Sequence, residues 1–172
     1  MSRLIVDQLN GRESSSNTIT VAAGHTLSAP GHVIQVVNVA YNTGVTLSAA
    51  GSAVETGLAA TITPKSNTSK ILVLANQNIQ VGGASYAQIV LRKGTIASNT
   101  ILAIMSSPEG YTNSTDTKVN TIPMCYEDSP ATTSATRYFC SMELLLAGSA
   151  MYAQTSTGGT SVSTMTLMEI AQ

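Results

Sequence analysis

The sequence predicts an all-β protein: an antiparallel, jelly-roll-like β-sandwich head preceded by an extended N-terminal arm. Short runs of Val, Ile, Leu and Thr alternate with turn-forming Gly, Asn and Ser along most of the chain. No stretch combines helix caps with an apolar period of 3.6 residues, so no helix is predicted. We assign residues 1–30 to the arm, which has little core of its own, and residues 31–172 to the head.

About nine or ten strands are expected, each bounded by turn signals. In chain order they are Val33–Val39, Thr46–Ser48, Ala59–Thr63, Lys70–Val81, Tyr86–Arg92, Thr100–Met105, Thr121–Tyr126, Thr136–Leu146, Met151–Thr155 and Ser163–Ile170.

Four local signals refine this order. Lys93–Gly94 is expected to be a hairpin break, and Ser106–Asp116 a polar loop. Pro123 inside a predicted strand indicates an edge strand or a bulge, because proline cannot donate to a sheet. The apolar run Met142–Ala147 would also suit a helix, but the aromatic residues before it and the glycine after it favour a buried strand.

Charge and hydropathy exclude several classes of partner and favour self-association. The net charge is −1, only 10% of residues are charged, and no basic patch occurs, which argues against nucleic acid and against an anionic membrane surface. No apolar run approaches the roughly 20 residues that span a bilayer. The first residues lack a signal-peptide pattern, which predicts synthesis in a cytosol. A mean hydropathy of +0.18 with so little charge predicts surface buried between subunits of a homo-oligomer.

The inventory of reactive side chains predicts a protein that is not an enzyme and binds no cofactor. His25 and His32 are the only histidines, each in a Gly-His-x-apolar unit. If three arms met on an axis, each could form a ring of imidazoles for a metal or an anion; otherwise each bonds to backbone at a glycine turn. A Ser-His-Asp hydrolase would need Asp7, Asp116 or Asp128 beside a histidine, and no Gly-x-Ser-x-Gly elbow is present.

Carboxylates and thiols offer two further alternatives. Glu127 and Asp128 are neighbours and form a candidate carboxylate pair for glycoside cleavage, but a solvated turn is the favoured interpretation. Cys125 and Cys140 are expected to be reduced, buried thiols that pack in the core, with a disulfide between them left open.

Polar loops are the candidates for contact with a host. Tyr111, Asn113, Thr115 and Asp116 would form a loop able to bind a surface glycan, because hydroxyl, amide and aromatic groups suit sugars. Tyr41–Asn42 would form a second such loop, and an ordinary polar loop is the alternative for both.

Several landmarks, in order, resemble a domain found in structural proteins of marine and cyanobacterial phages. They are Gly31–Val37, Glu55–Pro64, Ser69–Val73, Asp128–Thr136 and Thr166–Ala171, with arm segments Leu4–Asp7 and Val21–Leu27 similar to leaders that precede such domains.

The resemblance implies a virion protein, assembled in the host cytoplasm, of the tail-fibre or head-decoration type. It implies a trimer without catalytic residues, and we expect residues 1–30 to anchor it to a capsid or tail component. A short fibre, a knob or a capsid decoration suits so short an arm. The alternatives are a fibre head that binds a host-receptor glycan and a carbohydrate-binding module that acts in solution.

Overall fold

The computed structural model describes residues 29–82, 85–112, 118–146, 150–156 and 159–172. These residues contain strands and no helix. The strands are β1 Val33–Tyr41, β2 Val45–Leu47, β3 Ala53–Ile62, β4 Lys70–Val81, β5 Ser85–Thr95, β6 Ser98–Thr112, β7 Lys118–Asp128, β8 Thr136–Leu146, β9 Met151–Ala153, β10 Thr155–Ser156, β11 Gly159–Thr160 and β12 Ser163–Ile170.

The eight long strands form two antiparallel layers. One, the β4 sheet, has the order β1-β12-β4-β7; the other, the β8 sheet, has the order β3-β8-β5-β6. Numbered among themselves in chain order, these strands run 1-8-3-6 in one layer and 2-7-4-5 in the other, which is the topology of a jelly roll. β9 pairs with the C-terminal end of β4 on one side and with β2 on the other. β10 and β11 form a small hairpin between β9 and β12. The predicted fold class is confirmed.

The core lies between the layers because both β4 and β12 alternate buried and partly exposed residues. It divides into two apolar clusters. The first contains Leu58, Ala60, Ile62, Ile71, Val73, Ala75, Leu91, Tyr138, Cys140, Met165 and Leu167. The second contains Leu47, Ile79, Val81, Ala87, Ile89, Ile122, Met142, Leu144, Met151 and Ala153.

Several predicted boundaries are wrong, among them the start of β3, which lies at Ala53 and not at Ala59. Lys93–Gly94 is not a break, because β5 continues to Thr95 before turning. The predicted loop Ser106–Asp116 is strand as far as Thr112, since its polar residues still pair with β5 through the backbone. The expected strand Met151–Thr155 is interrupted at Gln154, whose φ of 55° turns the chain out into the β10–β11 hairpin.

Two other interpretations are confirmed. Pro123 lies in β7, which pairs only with β4 among the described residues and is therefore an edge strand. The run from Met142 belongs to strand β8 and not to a helix. The division between arm and head at residue 30 stays a prediction, because residues 1–28 lie outside the described part of the chain.

The entry to β1 is a tight turn at Ala29–His32. The His32 N–H donates to the Ala29 carbonyl at 3.2 Å, and Pro30 and Gly31 take the central positions, Gly31 with a φ of +83°. That arrangement is typical of a type II turn, which needs a glycine at its second central position. Gly31 N–H also donates to the Ala171 carbonyl at 2.8 Å, so the turn is fixed against the end of β12.

Candidate functional site

The outward side of the β4 sheet carries an apolar surface, which we call the apolar face: Val36, Leu72, Leu74, Cys125 and Met168. The register places Val36, Met168 and Leu72 in one row across three strands. Two residues further along β4 than Leu72, Leu74 lies opposite Cys125 of β7. Val36 is 55% exposed and Cys125 is exposed. A sheet face that meets water is normally polar, so this face needs a cover.

A second apolar surface, the β6 edge, consists of Ile101 and Ile104. Each is 55% exposed. They lie on a strand that pairs only with β5 among the described residues, so the backbone of β6 is open on its other side. Proteins that stay monomeric usually protect such an edge with charges or proline. The β6 edge therefore has the properties of a contact between subunits.

The outward side of the β8 sheet is, in contrast, a network of paired charges. Arg92 forms an ion pair with Glu143 and donates from Nε to Ser141 Oγ at 2.7 Å. Arg137 pairs with Glu55 at 2.7 Å. The hydrogen bond from Arg137 holds the pKa of Glu55 below its ordinary value. Because its charges are already satisfied, this face suits contact with water better than the apolar face does.

Phe139 shows how the paired charges also shield an apolar side chain. The Arg137 guanidinium lies 4.7 Å from the centre of the Phe139 ring, and the phenyl group is fully buried although it is on the outward side of the sheet. This stacked cation completes the cover of that face.

Asp128 lies between the two sheets and is nearly buried. Its carboxylate accepts a hydrogen bond from the Tyr138 hydroxyl at 2.7 Å and forms an ion pair with Lys93 at 2.8 Å. Burial, with the nearby Asp128 carboxylate, raises the pKa of Tyr138 far above its ordinary value. The three groups join β5, β7 and β8 at one end of the core and satisfy one another, which leaves none of them free to act on a substrate.

The expectation that Glu127 and Asp128 form a solvated turn is wrong. Both lie in β7, and consecutive strand residues point to opposite sides of a sheet. Glu127 points outward and pairs with Lys70 at 2.5 Å, while Asp128 points into the core. Because of this geometry the two carboxylates cannot flank one glycosidic bond.

Glu169 is a fully buried carboxylate that binds the loop after β3. It accepts the backbone N–H of Lys65 at 2.7 Å and the Gln35 side-chain amide at 2.6 Å. Burial alone would raise the pKa of Glu169. The nearby Ser69 hydroxyl, with hydrogen bonds from the Gln35 amide and from the backbone N–H groups of Lys65 and Ser66, outweighs burial and holds the pKa below its ordinary value. Glu169 therefore holds the loop between β3 and β4 in place.

A buried polar cluster, the polar belt, separates the two apolar clusters of the core: Thr56, Gln77, Gln154 and Ser163. All four are fully buried. The Thr56 hydroxyl donates to Gln77 Oε1 at 2.7 Å, and Gln77 Nε2 donates to Ser163 Oγ at 3.1 Å. With the Gln154 amide turned so that its donors meet acceptors, its nitrogen donates to the Thr43 and Thr56 carbonyls and its oxygen accepts from Gln77. The belt joins the two sheets through hydrogen bonds.

The candidate glycan loops are only partly placed by the structure. Tyr111 belongs to strand β6 and not to a loop. Asn113, Thr115 and Asp116 lie outside the described residues. The glycan site there stays a prediction. Tyr41 ends β1 with its ring against Gly57 and the first core cluster, so it is a packing residue and not part of a free loop with Asn42.

His32 participates in the turn that precedes β1. Its Nδ1 lies within hydrogen-bonding distance of the Ala29 carbonyl and of the Ala29 N–H, the latter at 3.3 Å. His25 lies outside the described residues. A ring of histidines on a trimer axis requires three chains and stays a prediction.

The two cysteines are in different environments. Both are free; Cys140 is buried in β8, and burial raises its pKa to about 12. Cys125 is exposed on the apolar face, so the expectation that both thiols are buried is wrong for Cys125. The two residues lie in opposite sheets, and Cys125 points outward whereas Cys140 points inward.

Two other kinds of site are absent from the described ranges. In the described ranges, no three His, Cys, Asp or Glu side chains are grouped to hold a metal ion. Within those ranges no helix has the length and apolar character needed to cross a membrane.

The apolar face and the polar belt were not anticipated from the sequence. The signal for the face was present in Lys70–Val81, where Leu72 and Leu74 fall between the inward residues Ile71, Val73 and Ala75. A strand that is apolar on both sides is a strand covered on both sides.

Comparison with known proteins leaves the chain without a family. No protein-family model and no curated protein matches it. Among solved structures, the chain is similar to a chain in the structure of infectious bursal disease virus, Gt strain, with 13% identity and a TM-score of 0.42. The match covers 90% of this chain but only 42% of that one, so this chain spans less than half the length of its structural neighbour. A likeness at this level assigns neither a family nor a function.

Proposed function

We propose that this chain is a non-enzymatic structural protein of a virion that assembles as a homotrimer. In this proposal residues 1–30 attach it to a capsid or tail component, and the jelly roll forms the head of a short fibre, a knob or a capsid decoration. Its function is to bury its exposed apolar surface against other subunits, and the phage landmarks in the sequence support this role.

The observation that carries the proposal is the β6 edge. Two isoleucines that are each 55% exposed lie on a strand with an open backbone edge. Burying apolar area contributes about 25 cal/mol per Å², and an open edge adds backbone hydrogen bonds. We therefore expect copies of the chain to contact one another through Ile101 and Ile104.

The state of the ionisable groups supports a structural role. Arg92, Arg137, Glu55 and Glu143 pair on the surface of the β8 sheet, and Asp128 is engaged inside the core. A catalytic group needs an approach for substrate and freedom to exchange a proton. These groups instead hold strands together.

The fold supports the proposal only by analogy. Jelly rolls recur in viral capsid proteins, but also in lectins and cupins, and fold alone does not define function. The jelly roll is nevertheless a framework on which both the virion role and the alternative of glycan binding are physically reasonable.

The first test concerns the β6 edge. Ile104→Asp places a charge on this edge and is expected to dissociate the assembly, as measured by sedimentation. The matched control is Thr61→Asp on β3, the opposite edge of the same sheet, where the residue is also exposed. Dissociation by both variants, or by neither, contradicts a contact through the β6 edge.

The second test concerns the virion. Antibody-labelled electron microscopy of particles from the virus that encodes the chain is expected to show regular labelling. Particles carrying a chain without residues 1–28 are expected to lose the label, while the free truncated protein keeps its strand spectrum. Equal labelling with the truncated chain would show that the arm is not the anchor, and particles that lack the full-length chain altogether would overturn the virion role.

A further inference from the structure

The apolar face needs a cover of its own, separate from the β6 edge. Val36, Met168 and Leu72 form a continuous row across β1, β12 and β4, and Leu74 and Cys125 extend it towards β7. Among the residues that the structure describes, the Lys70–Glu127 pair alone brings charge to this part of the sheet. If this row stays exposed to water, the protein does not gain the stabilisation that burying several large apolar side chains would provide.

The chain enters the sandwich at the corner of this face. The Ala29–His32 turn reverses the chain direction immediately before β1 and is fixed to Ala171 at the end of β12. Val36 follows His32 by four extended residues, roughly 13 Å at about 3.3 Å per residue. The described part of the chain therefore begins near one end of the apolar face.

The sequence before the turn has the pattern of a covering strand. Between residues 18 and 27, the odd positions carry Ile19, Val21, Ala23 and Leu27, interrupted by His25, and the even positions carry threonine, alanine and glycine. Period-2 alternation is typical of a strand with one apolar side. The segment contains no Asp, Glu, Lys or Arg, and His25 is its one titratable side chain, so covering the face with it buries little charge.

The segment is long enough to cross the face. Ten extended residues span roughly 33 Å, and four strands at about 4.8 Å spacing are roughly 15 Å wide. We propose that residues 18–27 of each chain lie against the apolar face of the same chain, with Ile19, Val21 and Leu27 directed at it. The arm then has two parts: a covering segment and, before it, residues 1–17 for attachment.

Cys125 provides a reporter of the cover, because it lies on the apolar face and the other thiol, Cys140, is buried. In the full-length protein, modification of Cys125 by a thiol reagent is expected to be slow. In the full-length Ile19→Ser/Val21→Ser variant it is expected to be about tenfold faster or more, because the protecting contact opens. The matched control, Leu4→Ser/Ile5→Ser, changes as many apolar residues of the arm and is expected to leave the rate unchanged.

Two measurements keep the test decisive. Cys140 must stay unmodified in every variant, which shows that the sandwich is folded. The rate is also measured in the Ile104→Asp background, where Cys125 is expected to remain protected even in a dissociated chain. Equal rates in the Ile19/Val21 variant and its control overturn the proposal. Loss of protection on dissociation also overturns it, because another copy would then be the cover. Neither result depends on whether the protein belongs to a virion.

Discussion

Gly57 shows how a single residue joins the two sheets. Its φ is +85°, and a Cβ built on it would lie 2.2 Å from the Tyr41 ring. The missing side chain therefore serves two purposes: it permits the backbone turn within β3, and it lets the end of β1 pack against that strand. The sequence did not indicate the contact of Gly57 with Tyr41.

Substitution of this glycine separates the two effects. Gly57→Ala is expected to lower the free energy of unfolding by about 3 kcal/mol or more, because it adds a steric clash to backbone strain. Gly51→Ala is the matched control: its φ is +77°, but no atom lies within 4 Å of the added Cβ. The control should cost only about 1 kcal/mol. Urea unfolding measures both, and equal losses would contradict the close packing of Tyr41 on Gly57.

Glu169 predicts a pH dependence of stability. Its pKa in the folded protein lies below the ordinary value of 4.5, so the folded state binds fewer protons than the unfolded state. The stabilisation is therefore fully present above about pH 5 and is lost as the pH falls through the folded pKa. The difference in unfolding free energy between the wild type and Glu169→Gln should be constant from pH 7 to about 5 and shrink at lower pH. A difference that grows on acidification would contradict this assignment.

At the scale of elements, the polar belt fixes how the two sheets sit on each other. Thr56 comes from β3 and Gln77 from β4, so the hydrogen bond between them crosses the core. Apolar side chains on either side would tolerate several alignments of the layers. A buried hydrogen bond tolerates few, because each group that loses its partner is left unsatisfied.

The belt can be tested by a change that preserves shape. Thr56→Val removes the hydroxyl that donates to Gln77 and is expected to cost about 1–3 kcal/mol, since Gln77 Oε1 loses a buried donor. Thr61→Val, in the same strand but exposed, should alter stability by less than about 0.5 kcal/mol. Chemical denaturation compares the two variants. Equal and small effects would mean that the belt contributes nothing to stability.

Pro123 gives the edge strand β7 a different property from the β6 edge. Proline lacks the N–H that a neighbouring strand would bind, so it discourages pairing along β7. Pro123→Thr is expected to leave the urea midpoint almost unchanged but to increase light scattering at high protein concentration. Pro130→Thr, in the loop before β8, is the control and should not scatter more. A variant that stays as dispersed as the wild type would contradict the protective role of Pro123.

At the scale of the molecule, the two layers unfold together if the core is continuous through the belt. The Cys140 thiol reports this, because burial raises its pKa to about 12 and shields it from reagents. In a Cys125→Ser variant, modification of Cys140 should follow the global unfolding curve as urea is added. Full modification in native buffer would show that the β8 sheet opens separately.

Runs of Val, Ile, Leu and Thr separated by turn-forming residues predicted the sandwich correctly, because they mark the strands and the turns between them. Boundaries at Thr95 and Thr112 were missed, since backbone pairing extends strands through polar residues that carry no hydropathy signal. The surroundings of Asp128 were also missed. Its partners Lys93 and Tyr138 are far along the chain from one another, and only the topology brings them together.

The central claim is that the chain works by associating with copies of itself. Light scattering coupled to size-exclusion chromatography of the full-length protein tests this most directly. The account predicts a single species with the mass of three chains of 17.8 kDa each. A species of one chain that persists at the highest attainable concentration would contradict it.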